Sequence, residues 1–355
     1  MTANRRQTLA ALAAFGALPA CSSAPLRRVS PLVANDFRAS GQRGVGFGLL
    51  AFGNRSEVDH DALKALGAGH ARMFIDARRE GAIEAYHFDA GQLQALDGVL
   101  DSLEARGLRL VLVGGFNPDA REALWRSPRL QASVLQCWQQ LTRRVQGRAA
   151  VAGFDLVNEP VPPGLTFAMR QERWLEFAAR LIDAVRAIDP TRVLIIESAP
   201  DATGASFENM RPLPFDNLVY SMHSYAPFDF THQAVAGDQR TRRRYPETLP
   251  DGRPSSVLLA ESLEPVRRFA TRYDVPIYVG EFSAPRWAPD GSAARYMADS
   301  IAAFNRFGWS WAYHEYRAWH GWDPEVAEAE PEARRRRVDA PVLRVLRDGL
   351  RAARG

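Results

Sequence analysis

The chain has very little cysteine and lysine for its length. Among 355 residues there are two cysteines, Cys21 and Cys137, and a single lysine, Lys64. Two cysteines this far apart exclude a disulfide-rich scaffold, and no Cys/His cluster has the spacing of a zinc site. Arginine therefore supplies nearly all of the positive charge. The formal net charge of +4 is too small to indicate a nucleic-acid partner.

Several catalytic motifs are missing as well. The sequence contains no Gly-x-Ser-x-Gly nucleophile elbow, no phosphate-binding loop and no His-Glu-x-x-His zinc motif. The glycine-rich segment 44–48 lacks the Gly-x-Gly-x-x-Gly spacing of a dinucleotide site and lies in an apolar strand pattern. We therefore expect no cofactor and no metal. An apolar content of 46% is typical of an ordinary globular protein.

The first 21 residues have the pattern of a bacterial export signal. A pair of arginines precedes an apolar run at residues 9–18 that is too short to span a bilayer. Residues 18–21 resemble a lipobox, in which Cys21 would be lipidated and become the new N-terminus. We predict a periplasmic or outer-membrane lipoprotein with residues 22–40 as a tether. Ordinary secretion is the alternative, and the sequence leaves open the Sec or the twin-arginine route.

From about residue 41 the chain alternates short apolar strands with amphipathic helices. Eight strands are predicted, at residues 44–52, 70–75, 108–113, 151–157, 193–197, 218–222, 275–279 and 309–313. Strands separated by helices pair in parallel, and about 310 residues for eight such units match a (β/α)8 barrel. We predict one α/β domain over residues 41–355 with this fold, also called a TIM barrel. An open doubly wound sheet is the alternative.

Two glutamates stand where apolar strands of the predicted barrel end. Glu159 follows the fourth strand and Glu281 follows the seventh. The chemistry of such barrels takes place at the C-terminal ends of the strands. Because the fourth and seventh strands lie almost across the barrel mouth, both carboxylates can meet in one cleft. Two converging carboxylates are the minimum that cleavage of a glycosidic bond requires.

The triplet Asn158-Glu159-Pro160, together with Glu281, resembles glycoside hydrolase family 5, the cellulase-like family of barrel hydrolases. A triplet this short could occur by chance. Its place on the fourth of eight strands, with a matching glutamate on the seventh, makes it specific to this family. The resemblance covers residues 44–322. It implies a retaining hydrolase of β-linked polysaccharide or oligosaccharide, with Glu159 as acid/base and Glu281 as nucleophile.

The resemblance implies roles for five further residues. Arg72 resembles the arginine that keeps the nucleophile ionised, and Asn158 would hydrogen-bond the sugar 2-hydroxyl. His223 and Tyr225 resemble the pair that contacts substrate and nucleophile. Trp311 resembles the tryptophan that forms a sugar platform. For Arg72, His223, Tyr225 and Trp311, an ion pair, a hydrogen bond or packing within the barrel is the alternative.

One departure from the family pattern concerns the third strand. The family often carries histidine at the end of this strand, but here residues 113–117 read Val-Gly-Gly-Phe-Asn. The change removes a sugar contact and leaves the substrate preference open, although Asn117 is a possible substitute. Glu197 and Glu315 also lie at strand ends and are the spare carboxylates to test.

Aromatic and basic loop residues admit two interpretations each. Trp287, Trp319 and Trp322 follow the last two strands and would either stack on sugars or pack beneath the loops. The arginines at positions 240 and 242–244 would either attract an acidic polysaccharide or belong to a solvated charged loop.

We therefore predict an exported, monomeric retaining β-glycosidase of endoglucanase or mannanase type. Such an enzyme holds its two carboxyl groups about 5–5.5 Å apart. One rival function is hydrolysis of a bacterial exopolysaccharide. The other is a noncatalytic carbohydrate-binding surface lipoprotein, which would be expected to have lost one glutamate.

Overall fold

The computed structural model describes residues 30–49, 57–80, 85–116, 120–235, 242–326 and 339–352. Its strands, in chain order, are β1 (Arg43–Leu49), β2 (His70–Asp76), β3 (Arg78–Glu80), β4 (Ala85–His87), β5 (Arg109–Gly115), β6 (Val151–Asp155), β7 (Leu194–Glu197), β8 (Leu218–His223), β9 (Ile277–Glu281) and β10 (Ser310–Tyr313). Eight of them close a parallel barrel in the order β1-β10-β9-β8-β7-β6-β5-β2. The predicted (β/α)8 fold is confirmed. The antiparallel hairpin of β3 and β4 is an addition that the sequence pattern did not indicate.

Helices surround the barrel. They are α1 (Glu57–Leu66), α2 (Ala90–Ala105), α3 (Ala120–Arg126), α4 (Pro128–Arg144), α5 (Phe167–Arg186), α6 (Phe228–Thr231), α7 (Ser256–Tyr273), α8 (Ser292–Arg306) and α9 (Pro341–Arg351). Polar caps begin three of them, because Asp89, Ser127 and Thr166 accept hydrogen bonds from backbone N–H groups of the first turn. Within the described ranges, no helix is long and apolar enough to cross a membrane.

Side chains on each barrel strand alternate between the helix layer and the barrel interior. On β5, Leu110 and Leu112 belong to the large core under the helices, whereas Val111 belongs to a separate cluster inside the barrel. A side chain two residues further along a strand therefore faces the same side. This alternation decides which residues reach the cleft at the mouth.

A short 3-10 turn closes the N-terminal end of the barrel. The turn spans Ala34–Phe37, and Phe37 is fully buried, with its ring perpendicular to that of Tyr278 and the two ring centroids 5.7 Å apart. The Phe37 carbonyl accepts a hydrogen bond from Ser310 Oγ at 2.8 Å. We call this end the barrel floor, and its fully or largely buried apolar residues are Ala34, Phe37, Val111, Ala152, Val193, Ile195, Val219, Tyr278 and Ala312.

Candidate active site

Glu159 lies in the loop that follows β6. Its φ of +45° is uncommon for a residue other than glycine, and such a backbone costs on the order of 1–3 kcal/mol. The Glu159 N–H donates to Glu197 Oε2 at 2.6 Å, which holds the strained backbone in place. The side chain is 27% exposed, and its Oε1 lies 2.8 Å from Nδ1 of His223. Glu159 therefore faces the cleft from a fixed backbone.

Glu281 ends β9 and is bound at both carboxylate oxygens. Oε1 accepts a hydrogen bond from Arg72 at 2.6 Å, and Oε2 accepts one from the Tyr225 hydroxyl at 3.0 Å. Burial alone would raise the pKa of Glu281, but electrostatic interactions with His223, His314 and Arg72 outweigh it and lower that pKa far below its usual range. Glu281 is therefore held as an anion.

Arg72 joins the carboxylates at the barrel mouth. Its fully buried guanidinium lies 2.6 Å from Glu281, 2.9 Å from Asp155 and 3.0 Å from Glu197. Burial would lower the pKa of Arg72, but Asp155, Glu281 and Glu197 raise it well above its ordinary value. The guanidinium also donates to Asn158 Oδ1 at 2.9 Å, which leaves the Asn158 amide nitrogen as its donor group.

His223 connects the two glutamates at the cleft. Its Nδ1 lies 2.8 Å from Glu159 Oε1 and 3.7 Å from Glu281 Oε2, while Nε2 lies 3.2 Å from Glu197 Oε1. Burial would lower the pKa of His223, but the charges of Glu197 and Glu281 and the hydrogen bonds to Glu159 and Glu197 raise it well above its ordinary value. Both ring nitrogens therefore act as donors to carboxylates.

The two cleft glutamates lie close enough to act on one bond. One carboxylate oxygen of Glu159, one of Glu281 and a ring nitrogen of His223 all lie within 4.8 Å of one another. A metal could use such donors only if His223 offered a lone pair. Because both of its nitrogens face carboxylates and its pKa is raised, the set fits an acid/base pair better than a metal site.

The comparisons with known proteins agree with this geometry. The family model described as Cellulase (glycosyl hydrolase family 5) matches residues 44–320. The chain belongs to glycosyl hydrolase family 5. This family 5 chain is also similar to Endoglucanase C of Acetivibrio thermocellus, with 24% identity over 295 residues that cover 74% of this chain and 84% of the relative. The protein is therefore an O-glycosyl hydrolase of the endoglucanase-like kind that acts on β-glycans.

Solved structures share the barrel of this family 5 protein. Thermotoga maritima Cel5A in complex with mannotriose gives a TM-score of 0.71 at 22% identity, over 88% of this chain and 99% of that one. Cellulose synthase subunit Z from Clostridioides difficile gives a TM-score of 0.69 at 19% identity, over 86% and 99% of the two chains. At these identities the likeness shows the fold alone.

The family 5 barrel brings most of the predicted site residues together. Arg72, Tyr225 and His223 surround Glu281, and Asn158 is bound to Arg72. Burial, followed by the charges of Glu281 and Glu159, raises the pKa of Tyr225 well above its ordinary value. Tyr225 therefore remains a neutral hydrogen-bond donor.

Trp311 does not belong to this group, so its predicted position at the cleft is wrong. Its side chain is fully buried, its Nε1 donates to Asn305 on α8 at 3.2 Å, and its ring packs edge-on against Phe282 at 5.6 Å. The neighbouring Ala312 lies in the barrel floor cluster, so alternation turns Trp311 toward the helices. A sugar cannot stack on it there.

The aromatic rings that lie at the cleft, where Trp311 was expected, are those of His314 and Trp322. Nδ1 of His314 lies 3.8 Å from Glu281 Oε2 and is buried without a hydrogen-bond partner among the described residues. The ring of Trp322 stacks on Tyr225 at 6.2 Å and meets the His314 ring edge-on at 5.2 Å. Strand alternation counted from Ala312 would have found His314 in the sequence.

Asp155 and Glu197 are the other site residues whose roles the sequence did not show. Both are completely buried and both accept hydrogen bonds from Arg72. Burial and the nearby charge of Glu197 raise the pKa of Asp155 well above its usual range, and the charges of His223 and Arg72 outweigh burial to lower that of Glu197. In the sequence, the feature that could have pointed to both residues is a polar side chain at the end of a buried strand.

Other residues that the sequence singled out lie around the cleft or outside the described ranges. The rings of Trp287 and Trp319 pack edge-on at 5.7 Å, and Trp319 packs on Trp322 at 4.9 Å, so these residues form one aromatic wall. Asn117, Cys21 and Arg240 lie outside the residues that the structure describes.

Proposed function

We propose that this protein is a retaining, endo-acting β-glycan hydrolase with Glu281 as nucleophile and Glu159 as acid/base. The observation that carries the proposal is the approach of the two carboxylates to within 4.8 Å, in different surroundings. Glu281 is nearly buried and tied to a buried arginine, whereas Glu159 is more exposed to the cleft. A retaining mechanism needs this pairing of an anion with a proton donor at short range.

The contacts around Glu281 supply the first half of the reaction. Arg72 holds Oε1, so Oε2 is the oxygen that attacks the anomeric carbon and forms the glycosyl-enzyme bond. The glycosidic carbon–oxygen bond breaks as Glu159 gives its proton to the departing oxygen. The Asn158 amide nitrogen donates to the sugar 2-hydroxyl, a contact that strengthens in the transition state.

The second half of the reaction uses the same glutamates in changed roles. Once Glu281 is esterified its negative charge is gone, so it no longer repels the carboxylate that Glu159 has become by giving up its proton. Glu159 then takes a proton from water, whose oxygen attacks the anomeric carbon and releases Glu281 as a carboxylate. The product keeps the configuration of the substrate.

The substrate in this proposal is a β-linked glucan or mannan, bound as a polysaccharide or oligosaccharide. One relative is named an endoglucanase, and one structural neighbour is described in complex with mannotriose. Hydrolysis of an exopolysaccharide is the second candidate, because one structural neighbour is described as a cellulose synthase subunit. A noncatalytic role is disfavoured because both glutamates and their buried network are present.

We also propose that the protein acts as an exported monomer anchored through Cys21. The first described residues lead into the turn Ala34–Phe37 at the barrel floor, opposite the cleft. Because residues 34–37 are packed into the barrel floor, the predicted tether over residues 22–40 is too long, and only the residues before Ala34 could serve as one. A tether that ends there would leave the cleft open to polysaccharide. Mass spectrometry of the mature N-terminus should find a lipid on Cys21. A free N-terminus further along the chain would contradict the anchor, and the secreted form would then replace it.

The experiment for the mechanism follows the two glutamates separately. Glu281→Ala should lower kcat on a neutral β-glucan by about 10⁴-fold or more, because no covalent intermediate can form. Glu159→Ala should lose activity on glucan but still form the intermediate from an activated aryl glycoside, whose leaving group needs no proton. Proton NMR of the first wild-type product should show retention.

Glu172→Ala is the matched control for these variants, since Glu172 is an exposed acid on α5 and takes part in none of the contacts described for Glu159 and Glu281. It should hydrolyse glucan like the wild type. Unchanged turnover in Glu281→Ala, or an inverted first product, would contradict the nucleophile assignment.

A further inference from the structure

The inner face of β2 carries a second charged side chain, Asp76, toward the barrel mouth. Arg72, Phe74 and Asp76 are two residues apart and so face the same side of the strand. The Arg72 guanidinium lies over the Phe74 ring at 5.2 Å from its centroid, which confirms the shared side. Asp76 ends the strand, about 13 Å beyond Arg72 at ~3.3 Å per residue. It therefore lies along the cleft rather than at the reacting bond.

Gly115 at the end of the neighbouring strand makes room for the Asp76 carboxylate. Asp76 pairs with Gly115 in the β2–β5 register, and Val111 on β5 faces the barrel interior, so position 115 faces the same way. A Cβ at Gly115 would lie 1.9 Å from Asp76 Oδ1. The carboxylate thus occupies the space of a β5 side chain, at the strand end where the sequence lacks the expected histidine.

The Asp76 carboxylate is half-buried and has no hydrogen bond or ion pair to any residue in the described ranges. Its backbone carbonyl accepts from Gln92 Nε2 at 2.6 Å, which fixes the residue on the strand. Burial raises the pKa of the side chain, because nothing offsets its partial loss of water. An ionised carboxylate only accepts hydrogen bonds, so its natural partners are donors on a ligand.

Three arginines of the loops at the mouth are engaged with acids of the chain. Arg243 lies 2.9 Å from Glu247, Arg244 lies 2.8 Å from Asp290, and Arg78 lies 2.7 Å from Asp89. These pairs offset the charge of the three arginines, so these side chains add little attraction for an acidic polymer. A sugar carboxylate at Asp76 would meet the like charge of the Asp76 carboxylate itself.

We propose that Asp76 forms a sugar subsite that accepts hydrogen bonds from donor groups of the glycan, hydroxyl or ammonium, and rejects a uronic acid at that position. The proposal rests on the proposed hydrolase function and makes its substrate class more specific. A carboxylate binds a pair of sugar hydroxyls through its two oxygens and binds an ammonium more tightly because of its charge. Repulsion between two carboxylates disfavours the acidic sugar.

Binding to a hydrolysis-deficient enzyme tests the subsite without turnover. In a Glu159→Gln background, calorimetry would compare neutral β-1,4-glucan oligosaccharides, chitosan oligosaccharides and β-linked glucuronic acid oligomers. We expect the neutral or the amino oligosaccharide to bind at least about 10-fold more tightly than the uronic oligomer. Adding Asp76→Asn should weaken the favoured ligand about 5- to 10-fold and strengthen binding of the uronic oligomer.

Controls separate the subsite from the proposed function. Asp183→Asn changes an exposed acid on α5 and should leave all three affinities unchanged. Asp76→Ser should repeat the shift seen with Asp76→Asn, and a thermal melt of each variant checks the fold. Equal weakening of all three ligands by Asp76→Asn, or a wild-type preference for the uronic oligomer, would overturn the subsite. Failure of every oligosaccharide to bind would instead contradict the hydrolase proposal on which it rests.

Discussion

The two ends of the barrel are built from the same strands but from opposite chemistry. At the floor, Ile195 on β7 and Val219 on β8 are buried in an apolar cluster. At the mouth, Glu197 and His223 on the same strands are equally buried but belong to a network of charges. Two to four residues along a strand therefore separate a side chain that stabilises the fold from one that serves the reaction.

Folding the mouth costs free energy because its charged groups are removed from water. Arg72 and His223 are two cations set against the buried carboxyl groups of Asp155, Glu197 and Glu281. Burial raises the pKa of Asp155, which shifts this group toward its neutral form and brings the remaining charges closer to balance. Buried networks of this kind contribute little to stability, so catalysis is the better account of why the mouth holds one.

Among the changes that compare the mouth with the floor, the largest expected effect comes from removing the central cation of the mouth. Arg72→Met should lower kcat by about 10²- to 10³-fold, because Glu281 loses the donor to Oε1 that keeps it ionised and oriented. It should also destabilise the fold, by about 3–5 kcal/mol, since the carboxylates are left without their buried partner. Steady-state kinetics and urea unfolding would measure the two effects. Nearly wild-type kcat would contradict the role of Arg72.

The matching change at the floor should affect stability alone. Phe37→Ala removes a fully buried ring and should lower the free energy of unfolding by about 3–5 kcal/mol. Its kcat and KM should stay within about twofold of wild type at a temperature where the variant is folded, because Phe37 lies at the opposite end of the barrel. A large fall in kcat in the folded variant would mean that the two ends are coupled.

The contrast between the apolar floor and the charged mouth also explains which parts of the fold and of the site could be predicted from the sequence. The eight barrel strands were found because apolar runs between helices have a strong pattern, and both glutamates stand out as acids after such runs. The network was missed because the strand-end positions of Asp155 and Glu197 do not reveal which side chain is their partner. Their partnership with Arg72 depends on strands brought together by barrel closure.

Trp311 shows a different reason for failure. Trp311 is the residue type that the resemblance requires. The side of the strand that its side chain faces depends on its position within the strand, which begins at Ser310. An error of one position exchanges the helix side for the barrel interior. The hairpin of β3 and β4 was missed because three-residue strands with exposed β3 side chains carry no apolar period.

The effect of pH on stability should also differ between the two ends. The folded-state pKa of Glu281 is lowered, so its ionised form contributes stability above the unfolded-state pKa, near 4.3. That contribution is lost as the pH falls through the folded-state pKa. The stability difference between wild type and Glu281→Gln should therefore change in favour of the variant by at least about 1.4 kcal/mol from pH 6 to pH 3.

Urea unfolding at a series of pH values would measure this difference. The Phe37→Ala penalty should be the same at every pH, since no titratable group is removed. A flat difference for Glu281→Gln would contradict the assignment of its lowered pKa.

The smallest effects should come from changing Trp311 and Trp322. Comparing them separates a residue that stabilises the fold from one that contacts the substrate. Trp311→Phe keeps an aromatic ring in the core and should lower the free energy of unfolding by about 1–2 kcal/mol, with KM unchanged. Trp322→Leu removes the ring that stacks on Tyr225 at the cleft and should raise KM for oligosaccharides about tenfold, with little change in melting temperature. Steady-state kinetics and thermal melts of both variants show which tryptophan contacts the substrate. The reverse result would place the sugar platform at Trp311 after all, because only a residue that touches the substrate alters KM without weakening the fold.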